Sequence, residues 1–311
     1  MTPVLEILAE ASFWAAALAI ATPLIFGALG ALLCERAGIL NLGSEGIFAA
    51  GALAGFLAVH LGAGLLAAVL IALLVGAALG FVHGMLTSPL GLSQPLTGIG
   101  VTLLAAGLAY FTFAALFGAT PPTIEAIAPI RLPGISGLPF IGAALLQTPL
   151  AYLALVLVFA VAYLFTRTPL GLAIRACGEN PAAVAAQGRS VHGLRIGAVM
   201  AGSALMALGG ASLSLVAGTF SIGMVNGRGF ICLVLTTLTG WRTGLILIVA
   251  LLLGAVDAYQ LRAQRGFAVA PQLFLMVPFV VLIIALALTR TSRRPRALLI
   301  PYGRDRGKDR E

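Results

Sequence analysis

Polar side chains are scarce in this chain of 311 residues, so each cluster of them is a candidate site. The densest is ERAGILNLGSEGIFAAG, Glu35 to Gly51, where Asn41, Ser44 and Glu45 stand among Gly38, Gly43 and Gly46. These side chains offer donors and acceptors to a polar solute, and the glycines permit unwound backbone that faces a cavity or protein. Ile39, Leu40, Leu42, Ile47 and Phe48 would keep the segment at membrane depth as a re-entrant or pathway element. A plain cytoplasmic turn is the alternative. The second cluster is NGRGFICLVLTTLTGW, Asn226 to Trp241. Here Arg228 lies between Gly227 and Gly229 and two residues before Phe230, at the head of an apolar half-length helix. A helix N-terminus behind a glycine pair suits a polar or anionic group. Arg228 equally suits an interfacial anchor that snorkels to water. Asp257 and Gln260 read as hydrogen-bonding partners for a neighbouring helix, and Gln94 and Thr97 either line a path or cap a helix.

Other chemistry is missing. A phosphate-binding loop needs GxxxxGK followed by Ser or Thr, and the one lysine, Lys308, precedes Asp309. No GxSxG, HExxH or paired-carboxylate pattern is present, so no catalytic residue is expected. Cys34, Cys177 and Cys232 are isolated and lack a nearby His, which argues against a metal site or disulfide. His60, His83 and His192 are isolated too. No cofactor is expected.

The elements that must position these groups follow from composition. The chain is 60% apolar and 9% charged, whereas soluble domains carry roughly 25% charge. Unbroken apolar runs exclude a β-barrel and predict an all-α polytopic membrane protein of one domain. Windows of about 20 residues place spans near 13–33, 46–60, 63–83, 97–117, 147–166, 195–218, 229–241, 243–261 and 270–289. That makes about nine crossings (8–10), the second and seventh short enough to be broken or half-helices. Fourteen of the eighteen basic residues fall on one side if the C-terminus is inside and the N-terminus outside. They include Arg36, Arg242 and a basic tail at 290–311. Basic residues beside spans set topology and meet anionic lipid, so nucleic acid is not expected as a partner. The first basic residue, Arg36, follows the first apolar run, so no cleavable signal peptide is expected. Residues 118–146 carry five prolines, which rule out a continuous helix. They form an external segment that serves as a rigid connector or as a docking face.

One inside loop, TRTPLGLAIRACGENPAAVAAQGRSVHGLR, is ordered by its own punctuation. Pro169 opens a short helix that Gly178 can close. Asn180 then caps a second, with Pro181 first and Gly188 at its end.

In these motifs the chain resembles bacterial ABC-importer permeases of the branched-chain amino acid, ribose and nucleoside type. ERAGILNLGSEGIFAAGALAG resembles that family's N-terminal signature, GLAIRACGENPAAVAAQG its cytoplasmic loop and NGRGFICLVLTTLTGWRTG its late half-helix motif. The match runs from about Pro23 to Pro278 and looks closest to the nucleoside and simple-sugar branch. Cys177, Gln187 and the pair Arg189–Ser190 depart from the family pattern. The resemblance implies a multi-pass permease of the bacterial inner membrane that pairs with a second permease chain. It implies a cytoplasmic ABC ATPase and an external substrate-binding lipoprotein as further partners. It assigns the loop at 167–195 to ATPase coupling, through Arg175, Gly178, Glu179, Asn180, Pro181 and Ala182. The translocation path would use Asn41, Ser44, Glu45, Asn226, Arg228 and Phe230. A stand-alone secondary transporter is the rival class, yet acidic or histidine relays and an internal repeat are not evident.

Overall fold

The computed structural model describes residues 9–118, 120–130, 145–264, 276–288 and 294–303. Eleven α-helices are present among them: α1 Ala11–Arg36, α2 Ser44–His60, α3 Leu65–Thr87, α4 Gln94–Phe117 and α5 Pro149–Arg167, followed by α6 Pro169–Glu179, α7 Pro181–Ala186, α8 Val191–Ala217, α9 Arg228–Leu238, α10 Thr243–Ala263 and α11 Val277–Leu288. Six of them, α1, α3, α4, α5, α8 and α10, are long and apolar enough to cross a membrane. Three shorter ones, α2, α9 and α11, are apolar as well.

The helices sort into a centre and a rim. In its most apolar window α1 is 89% buried and α8 67%, against 22% for α4. Membrane helices gain little from hiding apolar side chains from equally apolar lipid, so close backbone contact must hold the centre. Small residues supply it. Gly30 of α1 and Gly202 of α8 face each other so tightly that a Cβ on either would strike the other's carbonyl oxygen. Around this axis α8 also packs on α2 and α3, and α1 on α9 and α10. Leu103, Leu108 and Phe111 of α4 and Phe159 and Tyr163 of α5 stay exposed, as a lipid-facing rim requires.

Two of the apolar helices packed on the centre are short. Helix α2 has 17 residues and α9 has 11, spanning about 25 Å and about 16 Å at 1.5 Å per residue. Non-helical backbone precedes each. Residues 37–43 lead into α2, and a string of turns over 218–227 leads into α9. Helix α9 lies deep, because Cys232 Sγ reaches the Leu24 carbonyl at 3.6 Å and Thr236 Oγ1 the Ala28 carbonyl at 3.1 Å, both within α1.

The proline-rich segment is non-helical at 120–130 and lies against the end of α8, with Ile124 N–H donating to Gly218 O at 2.8 Å and Ile127 N–H to Leu215 O at 3.2 Å. Its remainder, with Arg131, Pro133 and Pro139, falls outside the described residues, as do the flanks of the basic tail.

Candidate functional site

The backbone between α1 and α2 is buried, so each polar group in it needs a partner. Gly38, at φ +86°, turns the chain as α1 ends. Gln94, 1% exposed at the start of α4, then takes up two of the freed groups. Its Oε1 accepts from Leu40 N at 2.8 Å and its Nε2 donates to Gly38 O at 3.1 Å. Thr102 Oγ1 donates to Leu42 O at 2.8 Å. Asn41, fully buried, accepts from Gly43 N at 3.0 Å and donates to Ser203 Oγ on α8 at 3.0 Å. Removing one buried partner leaves the other group desolvated. Gln94→Ala should therefore lower unfolding free energy by about 1–3 kcal/mol, read from thermal unfolding in detergent. An unchanged melting temperature would show that the loop does not depend on this clamp.

This loop delivers Glu45 to the head of α9. Glu45 Oε1 accepts from Gly227 N at 2.8 Å and Oε2 from Gly229 N at 2.9 Å. A carboxylate from the first turn of α2 thus caps α9, at the helix end that favours negative charge. The approach demands glycine: a Cβ on Gly229 would sit 2.6 Å from Glu45 Cα. Asn226 and Gly227 hold φ +49° and +79°, reversing the chain so that both amides point at Glu45. Arg228 folds back on its own turn, with Nη1 donating to Met224 O at 3.0 Å and Val225 O at 3.3 Å.

Beside this junction lies a cavity of about 100 Å³, lined among others by Asn226, Arg228, Asp257, Gln260, Ile231 and Phe279. Gln260 is 5% exposed and its Oε1 has no partner among the described residues. Asp257 and Gln260, which the sequence suggested as helix–helix partners, therefore share a cavity with Asn226 and Arg228. Of the residues expected on a path, Glu45, Asn226 and Arg228 gather at this junction. Asn41 and Ser44 are fully buried in packing, and Phe230 is 43% exposed.

At the far end of α1, the loop at 167–195 forms α6 and α7. Thr168 Oγ1 accepts from Gly171 N and Asn180 Oδ1 from Ala183 N at 3.1 Å, capping the two helices. Gly178 does not end α6, which runs on to Glu179 with Asn180 as C-cap. Its φ is not positive. Gly178 is needed instead for close packing, since a Cβ there would strike the Arg36 carbonyl at the end of α1. Gly188, at φ +74°, does follow α7. Val184 packs with Cys177 and Val191, and burial pushes the Cys177 thiol up, keeping it a protonated packing group. Arg175, Glu179, Asn180 and Ala182 face outward, with Pro181 half-buried.

A strap that sequence reasoning missed crosses this loop. Ala297 N–H donates to Gly178 O at 2.8 Å. Arg195, fully buried, reaches Ile300 O at 3.3 Å, and Tyr302 stacks edge-on against His192. The basic tail had read as a topology signal and a contact for anionic lipid.

A sequence profile of the family described as "Branched-chain amino acid transport system / permease component" matches residues 14–286. The chain belongs to this permease family. The permease is 35% identical over 252 residues to a putative glucose ABC transporter permease protein of Haloferax volcanii, covering 78% of this chain and 75% of that one. It is 29% identical over 302 residues to the guanosine ABC transporter permease protein of Bacillus subtilis, covering 92% and 95%. A nucleoside ABC transporter permease protein of Lactococcus lactis subsp. cremoris is 31% identical over 280 residues, covering 86% and 88%. No solved structure matches the permease at a significant level. Family and apolar helices together make it a multi-pass membrane protein.

Proposed function

We propose that the permease forms the translocation path of an ATP-driven importer for a nucleoside or related sugar. The observation that carries this is near full-length similarity to permeases named for guanosine and nucleosides, together with one named for glucose. The junction of α2 with α9 supports a polar solute. Asn226, Asp257 and Gln260 supply donors and acceptors, Phe279 supplies an aromatic face, and Arg228 and Asp257 balance in charge. That mixture suits a neutral, hydroxylated ring.

In this reading the chain is one domain with about nine crossings, its N-terminus outside and its C-terminus inside, in the cell membrane (the inner one in a bacterium). Residues 118–146 face the binding lipoprotein. The loop at 167–195 meets a cytoplasmic ABC ATPase through Arg175, Gly178, Glu179, Asn180, Pro181 and Ala182, and a second permease chain completes the path. Asn41, Ser44, Glu45, Asn226, Arg228 and Phe230 build or border it. The capped helices α6 and α7, seated on the end of α1 through Gly178, support a lever that moves the central helix.

The family's description also names branched-chain amino acids, which gives a second reading. Purification of the tagged permease from its own membranes should bring an ATPase subunit with it. Proteoliposomes of that complex, supplied with its binding protein, should take up labelled guanosine or glucose only with ATP inside the ATPase compartment. Uptake of leucine alone would overturn the solute, and ATP-independent uptake by the lone chain would overturn the importer.

A further inference from the structure

Three arginines border one cavity at the end of the bundle that carries α6 and α7. Arg36 closes α1, Arg175 belongs to α6 and Arg242 is the N-cap residue of α10. All three line a cavity of about 260 Å³, whose other walls include Ala162 and Phe165 of α5 and Thr243 of α10. Arg36 Nη2 donates to Trp241 O at 2.7 Å, and Arg175 Nη1 to Phe165 O at 3.3 Å. Each guanidinium carries five N–H donors, so these contacts aim the groups without satisfying them.

The cluster carries excess positive charge: Arg175 opposes Arg36, and among the described residues only Glu179 offsets it, from beyond ion-pair distance. Among the described residues no carboxylate lies within ion-pair distance of Arg36, Arg175 or Arg242. Glu35, one residue before Arg36, accepts at Oε2 from Trp241 Nε1 at 2.5 Å, and Glu179 faces outward. Helix α10 starts at this cavity with no side-chain cap, adding the positive end of a 21-residue helix. Like charges gathered in one cavity repel unless an anion sits among them. Arginine forks match phosphate oxygens in particular.

The remaining wall identifies the source of the anion. Helix α5 is a rim helix, with Phe159 70% and Tyr163 63% exposed to the surrounding membrane. Ala162 and the exposed Thr166 carry that outward face to the lip of the cavity, with the buried Phe165 behind them. A ligand that is anionic at one end and apolar at the other meets both walls. We propose that this cavity binds the phosphodiester of an anionic phospholipid, with its acyl chains along α5. The bound head group ties α5 and α6 to α10 across the end of α1. Basic pockets between spans at a charged leaflet surface bind such head groups. Of the three arginines only Arg175 also belongs to the coupling set, so the test is made at Arg242.

The test is native mass spectrometry of the full-length permease released from detergent. Wild type should retain one phosphatidylglycerol about tenfold more strongly than phosphatidylcholine of the same chains. Arg242→Gln should lose that preference by about tenfold, while Arg242→Lys should keep much of it. Arg189→Gln removes the same charge from the exposed loop outside the cavity and should leave binding unchanged. Equal retention of the two lipids, or equal loss in Arg189→Gln and Arg242→Gln, would overturn the site. Displacement of phosphatidylglycerol by millimolar inorganic phosphate would overturn the lipid as source and assign the cavity to free phosphate. Thermal unfolding of each variant keeps a folding defect from passing as lost binding. A lipid-free result would leave the coupling reading of α6 and α7 standing, because copurification of the ATPase tests that separately.

Discussion

Glu45→Ala should lower the unfolding free energy by about 3–8 kcal/mol and abolish solute uptake. Two charge-assisted hydrogen bonds disappear, each worth about 1.5–3 kcal/mol, from Glu45 to Gly227 N at 2.8 Å and Gly229 N at 2.9 Å. The freed amides lie in a part-buried turn and lose the acceptor they donate to. The α9 N-terminus also loses its counter-charge, a further 0.3–2 kcal/mol or about that. Uptake fails because the same turn carries Asn226 and Arg228, which border the polar cavity. Glu45→Gln is the discriminating variant. It keeps one oxygen acceptor and the side-chain length but loses the charge, so about half the stability loss is expected. Thermal unfolding of the purified variants in one detergent, with uptake into proteoliposomes, reads both effects. A Glu45→Ala protein that melts with the wild type would refute the cap.

Local chemistry was legible in the sequence, and long-range pairing was not. Asn180 and Pro181 form a helix start because capping is decided within three residues, and α7 begins at Pro181 with Asn180 bonded to Ala183 N. The shortness of α2 and α9 was legible from the length of their apolar runs, and their glycines from the need for a break. That these two helices meet was hidden. Glu45 and Gly227 are 182 positions apart, and periodicity carries no information about such a contact. Gly178 shows the same boundary. A glycine after a helical run signals a cap as readily as a tight crossing, and only the Arg36 carbonyl lying against it decides for the crossing. Arg195 and the tail stayed mute because a basic residue beside a span reads as topology, whether it is solvated or, like Arg195, fully buried.

The double change Asn180→Gly with Pro181→Gly should uncouple ATP hydrolysis from uptake and leave the bundle folded. Helix α7 has only six residues, Pro181–Ala186, far below the roughly 12–15 that an isolated helix needs. It persists through its cap, through the fixed φ of Pro181 and through Val184 in its small cluster with Cys177 and Val191. Glycine at the cap costs only a few tenths of a kcal/mol, but releasing the proline adds about 1 kcal/mol of chain entropy. Against so short a helix that sum suffices to melt it. The contacts of α1 with α8 do not involve α7, so global unfolding should shift by less than about 1 kcal/mol. In the proposed importer, a melted α7 receives no thrust, so uptake falls to background while ATP turnover loses its response to solute-loaded binding protein. Asn180→Ser retains a capping oxygen and should retain uptake, which separates the helix from the particular side chain. Retained coupling in the double-glycine protein, with α7 shown to be melted by hydrogen exchange, would remove this helix from the transmission path. If α6 alone seats on Arg36 through Gly178, that is where the force would have to enter.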